Sequence, residues 1–152
     1  MKKIVLFAVV FAMALALGGC GKTGFDPAEL TESEFNDAEL NSQVELYVKQ
    51  KTVTTSTEEM ALALVNLTEK DFSYDANQRL EVELDGRWYV VPNDQAGVVL
   101  AIYTLPAGGT ETELFVFKDR YDSLPQGSYR IIKQFVDEDG EIALAAAQFR
   151  IG

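Results

Sequence analysis

The sequence predicts an all-β domain set behind an export signal and a polar connecting segment. Three observations point that way. From Val44 onward, short runs alternate apolar and polar residues with a period of two, the pattern of half-buried strands. Turn-forming stretches, Asp85-Gly86, Ala107-Gly108-Gly109 and Asp137 to Gly140, separate the runs. Ahead of them, MKKIVLFAVVFAMALALGGC places two lysines before an apolar run from Ile4 to Leu17, closed by small residues.

That opening segment, residues 1–19, is read as a signal peptide. It is too short for a comfortable membrane span, which needs about 20 apolar residues, and only Lys22 follows as a basic flank. Leu17-Gly18-Gly19-Cys20 resembles the lipobox of bacterial lipoproteins. The resemblance implies that the Cys20 thiol receives a diacylglycerol and that cleavage leaves Cys20 as the new N-terminus. Two or three acyl chains anchor stably where one binds only marginally. The implied location is the cell membrane, with the domain outside the cytoplasm and the membrane as partner through the lipid on Cys20.

The single cysteine leaves no disulfide to stabilise the domain. The net charge is −11, and removing a signal that holds two lysines and no acid leaves −13. Such an excess argues against nucleic acid as a partner. There is no histidine, so the commonest general base and zinc ligand is missing. No cofactor, metal site or catalytic residue is expected, and the protein is not expected to be an enzyme.

Residues 20–43 carry the lipidated cysteine and then many acids, Asp26, Glu29, Glu32, Glu34, Asp37 and Glu39 among them, with few large apolar residues. Like charges repel and the apolar residues are too scattered for a core, which predicts a disordered acidic tether. Residues 44–152 form the domain. Val44, Leu46 and Val48 alternate with polar partners. Met60 to Leu67 is apolar on both faces and reads as a central strand covered on two sides. Phe72 and Tyr74 share a face. Leu80, Val82 and Leu84 lead through Asp85-Gly86, a type I′ hairpin signal, into Trp88 and Val90 before Pro92 withholds an N–H. Gly97 to Tyr103, Glu111 to Phe117, Tyr129 to Phe135 and Ile142 to Ile151 read as further strands, with Lys118 to Gln126 an exposed connection. The alanines at 145–147 favour helix and weaken the last of these.

The most specific motif of the domain is LPQGSYR, Leu124 to Arg130. Pro125 and Gly127 permit a tight crossing just before Tyr129, the arrangement of a tyrosine corner, in which the hydroxyl bonds back to the backbone a few residues upstream. Ile131 stands where antibody domains carry a core cysteine, so an apolar contact replaces the disulfide. Trp88, Ile131 and Phe135 are expected in the core. With DGRWYVVP at Asp85 to Pro92, IYTLPAGGT at Ile102 to Thr110 and LPQGSYRIIK at Leu124 to Lys133, the domain resembles the bacterial immunoglobulin-like domains of Gram-positive lipoproteins. The resemblance implies an Ig-like two-sheet antiparallel sandwich of about seven strands, with no catalytic residues to carry over.

The remaining candidate sites have plainer readings. The carboxylates from Asp137 to Glu141 suggest calcium, but the spacing of a calcium loop is absent and an Asp-Gly hairpin explains them. Trp88 and Tyr89 must face opposite ways, Trp88 inward and Tyr89 outward; Tyr47, Tyr103 and Tyr121 are candidates for an exposed patch. Asn66-Leu67-Thr68 fits a glycosylation sequon that a bacterial lipoprotein has little use for. The expected function is a non-catalytic binding or spacer module for a protein or cell-wall partner, through end loops or a free sheet edge. The alternative is an Ig-like proteinase inhibitor presenting Val91-Pro92-Asn93 and Leu105-Pro106-Ala107.

Overall fold

The computed structural model describes residues 24–93, 101–117, 120–121 and 123–152. Among these are ten strands in two antiparallel sheets, more than the seven or so expected. The smaller sheet runs β2 (Val44–Val48), β3 (Glu59–Asn66), β8 (Thr110–Val116). The larger sheet is built on β9 (Gly127–Asp137). One edge of β9 pairs along its length with β10 (Ile142–Ile151). The other edge is shared, first by β5 (Arg79–Leu84) and then, at Val136 and Asp137, by β4 (Phe72–Asp75). Beyond β5 lie β6 (Arg87–Val90) and the two-residue β1 (Thr31–Glu32); beyond β4 lies β7 (Ile102–Leu105).

Alternation decides what the sandwich encloses. Leu62 and Leu64 of β3 and Phe115 of β8 face Leu80, Val82, Tyr129, Ile131 and Phe135 across the core. Each such side chain taken from water contributes about 1.5–3 kcal/mol. The alanines of β10 are in a strand, not a helix: Ala143, Ala145 and Ala147 face the core, and their small size admits the close approach of neighbouring segments. Residues 40 and 53 both bridge β10 in parallel, while β2 between them belongs to the opposite sheet. The chain thus crosses from one layer to the other along one edge, which closes that side without a disulfide.

Four expectations need correction. The acidic segment is not a free tether: residues 24–43 lie on the larger sheet, as set out below. Trp88 is not in the core. The β5–β6 register pairs Tyr89 with buried Val82 and Trp88 with exposed Glu83, so Tyr89 packs on the core and Trp88 lies on the outer face. β3 is buried on one face only; Ala61, Ala63 and Val65 are half-exposed because no further layer covers the smaller sheet among the described residues. The connection after β8 is partly buried, with Tyr121 stacked on Phe115 at 6.0 Å and Leu124 in the core. Cys20, Leu17, Gly18 and Gly19 lie outside the described residues, as do residues 97–100 of the strand expected at Gly97 to Tyr103.

Candidate functional site

The corner is formed as expected. Tyr129 is fully buried, its ring stacks on Phe149 at 5.7 Å, and its hydroxyl donates to the Pro125 carbonyl at 2.7 Å. Burial holds this phenol well above its ordinary pKa. Ile131 and Phe135 are fully buried on the same face, Phe135 edge-on to Phe72 at 6.4 Å. These residues are structural.

The outer face of the larger sheet is different, because two strand arginines there organise the acidic segment. Arg130 of β9 donates through Nε to Glu81 at 2.7 Å, through Nη1 to Asp37 at 2.8 Å, and through Nη2 to Ser33 Oγ at 3.2 Å and the Phe35 carbonyl at 3.1 Å. Its guanidinium lies over the Trp88 ring at 4.5 Å. Arg79 of β5 grips Glu34 with two bonds of 2.7 Å, meets Glu81 through Nε at 2.8 Å, and stacks over Phe35 at 4.9 Å. The Arg79 hydrogen bonds hold the Glu34 carboxyl down at about 2. Glu81, with no exposure, therefore serves both arginines.

Two short 3-10 turns capped by Asp26 and Asn36, together with the β1 pairing to Val90 and Tyr89, shape this segment into a strap. Asn41, at φ 61, fastens its far end by exchanging two side-chain hydrogen bonds with the Ala146 backbone. The acids that repel one another in an isolated chain thus find cations that the sheet supplies. A signal for this was present in β9, where Arg130 and Lys133 flank Ile131 and Ile132 in a run of core residues and each needs a buried partner.

Lys133 points inward. Its amine meets Glu113 of the opposite sheet at 2.9 Å, bonds the Asp75 carbonyl at 2.6 Å and lies 5.0 Å from the Tyr74 ring centroid. Burial pulls the lysine below its ordinary pKa, and Glu113 opposes that pull. This ion pair ties the two sheets together.

Beside the strap, the same outer face opens into a groove of about 680 Å³. Ile132, Val136 and Leu144 supply an aliphatic floor, Phe35 of the strap walls one end, and Ile102 of edge strand β7, 75% exposed, stands at the other. Its polar lining is rich in side-chain amides, Asn77, Gln78 and Gln134. Gln78 is only 8% exposed, and neither its amide nitrogen nor its oxygen has a hydrogen-bond partner among the described residues.

Other sequence candidates resolve elsewhere. Asp137 accepts from Lys70 at 2.8 Å and from the backbone N–H groups of Asp139 and Glu141, so its carboxylate fastens the hairpin. Lys70 draws this carboxyl below its ordinary pKa. No group of three potential metal-ligating side chains is gathered among the described residues. Asn66 is buried, its amide donating to the carbonyls of Lys70, Leu105 and Pro106. Tyr47 and Tyr103 are exposed on different sheets and Tyr121 is buried, so the structure makes no common tyrosine patch of them. Val91 lies level with Ile131 and Leu105 level with Asp137, six residues apart along β9, so the two proline-bearing turns do not share one end.

No curated protein matches the chain. Among solved structures it is similar to a structural-genomics target, SoR45, at 21% identity over 74% of this chain and 88% of that one, with a TM-score of 0.47. It is also similar to the archaellum periplasmic stator protein FlaG from Sulfolobus acidocaldarius (21% identity, 70% and 99% covered, TM-score 0.38) and to the putative ApaA protein from Bordetella pertussis (18%, 82% and 93%, 0.39). Similarity at this level says nothing of what this chain binds. The family model for a bacterial Ig-like domain matches residues 40–150, the span that holds the two-sheet sandwich and its tyrosine corner, and the chain belongs to that family.

Proposed function

We propose that the protein is a lipoprotein, anchored in the cell membrane through Cys20 and facing outside the cytoplasm, whose Ig-like domain is a non-catalytic binding or spacer module for a protein or wall component. The observation that carries the anchor is Leu17-Gly18-Gly19-Cys20 closing an apolar run led by two lysines. Support for a non-catalytic domain comes from how its buried charges are used. Arg130 and Glu81 hold the strap, and Lys133 and Glu113 hold the sheets, so these ionisable groups do structural work. The groove beside the strap is a concave surface available to a partner.

Cys20→Ala tests the anchor. The unaltered chain is expected in the membrane fraction with an acyl mass on Cys20, and the variant is expected to be released or to stall with its signal attached. Membrane retention of Cys20→Ala at an unchanged mass overturns the proposal.

A further inference from the structure

We propose that the groove between the strap and β7 seats an extended peptide segment of another protein, one bearing aliphatic side chains and a cationic one. This deepens the reading of the domain as a binding module and rests on it. Three features of the groove select that occupant.

The first is the floor. Ile132, Val136 and Leu144 offer aliphatic contact, and Ile102 adds an apolar side chain that is three-quarters exposed on an edge strand. Edge strands that carry exposed hydrophobic residues are surfaces to which extended chains add.

The second is the polar lining. Gln78 has a donor and an acceptor that find no partner among the described residues, which costs about 1–3 kcal/mol for each buried group left in that state. Asn77 and Gln134 add two more amides. A peptide unit, with one N–H and one C=O, matches such groups. A sugar would want an open aromatic face, and the lining offers none: Phe35 lies under Arg79, and Tyr74 packs between Tyr103 and Phe135.

The third is charge. Arg79, the cation of the lining, is taken by Glu34 and Glu81. Asp75 bonds the backbone and side chain of Asn77 and makes no ion pair among the described residues. The groove therefore presents a carboxylate that no direct ion pair holds among the described residues, the nearby Lys133 amine bonding the Asp75 backbone carbonyl instead, in a chain of net charge −11. An anionic ligand is repelled, and a lysine or arginine is drawn to Asp75.

Fluorescence anisotropy of a labelled hexapeptide of alternating lysine and valine, titrated with the full-length chain, tests this. Saturable binding is expected, while the glutamate–valine counterpart does not saturate. Ile102→Lys, at an exposed position that leaves the melting temperature unchanged, is expected to weaken binding about tenfold or more, and Asp75→Asn to weaken it less. Gln78→Met is expected to melt higher, because it removes a buried unbonded amide, and yet to bind the peptide less well. Lack of saturation at millimolar chain, equal binding of the acidic peptide, full affinity in Ile102→Lys, or displacement by an N-acetylglucosamine oligomer overturns the proposal. Failure here leaves the acyl mass on Cys20 untouched. Conversely, a chain that binds the peptide but carries no lipid overturns the anchor alone.

Discussion

Individual residues of this domain perform tasks that larger structures spread over many contacts. The Tyr129 hydroxyl is the only atom joining the ring to the Pro125 carbonyl. Tyr129→Phe keeps the ring and its stacking on Phe149, and is expected to lower stability by about 1 kcal/mol, read from denaturant unfolding. Lys133 and Glu113 are more demanding, since removal of one partner strands the other. Glu113→Ala leaves an ammonium in the core and is expected to cost about 3–5 kcal/mol, whereas Lys133→Met, which removes the buried charge, costs less. The pH dependence follows from burial, which lowers the lysine's pKa in the folded state. A folded chain that binds fewer protons than the unfolded one gains stability as pH rises. Melting of Glu113→Ala should therefore improve as pH climbs toward the ordinary lysine value of about 10. A melting temperature that is flat in pH would contradict that account of Lys133.

Among the elements, the strap has the most to explain. It is short, largely exposed, and held by arginine sockets and a two-residue ladder, yet it covers Arg130, which has no exposure. Trp88 is the only tryptophan of the chain and lies beneath that arginine, so its emission reports on the strap. The Glu34 carboxyl is held at about 2, below its unfolded value, so its contribution is complete above the ordinary carboxylate range and disappears as pH falls through about 2. Trp88 emission is expected to stay constant from neutrality to about pH 4 and to shift red only as the pH approaches 2. A transition near pH 5 would show that Arg79 does not hold Glu34. In Asp37→Ala the strap loses one socket, and amide exchange at Ser33, whose N–H bonds the Trp88 carbonyl at 2.8 Å, is expected to accelerate.

At the scale of the whole molecule, two electrostatic effects oppose each other. A net charge of −11 repels itself, and added salt screens that repulsion; the same salt weakens the exposed pairs of the strap. Salt is thus expected to raise the melting temperature of the sandwich while making Trp88 emission easier to shift with acid. The sandwich was legible in the sequence because alternation, Asp-Gly turns and the Pro-Gly-Tyr corner are local signals; the turns at Asp85-Gly86 and Asp137 to Gly140 and the Tyr129 corner stand where turn chemistry puts them, whereas which face Trp88 takes is set by register. The strap and the groove were not legible. Both depend on which outward-facing residues the register brings side by side: Glu81 beside Arg130, Trp88 opposite Glu83, Ile132 and Leu144 across β9 and β10. A tally of acids along residues 24–43 shows repulsion, because the balancing arginines come from strands 40 to 100 residues later. One mechanical consequence follows from how the strap is fastened, by the β1 pairing, the arginine sockets and the clasp of Asn41 on Ala146. Tension applied ahead of residue 24 peels these small fasteners in sequence, releasing up to about 65 Å of slack at roughly 3.3 Å per residue before the strands of the sandwich are themselves pulled apart. Drawn outward from a moving surface, this molecule would yield first like a coiled leash, with its folded end still intact.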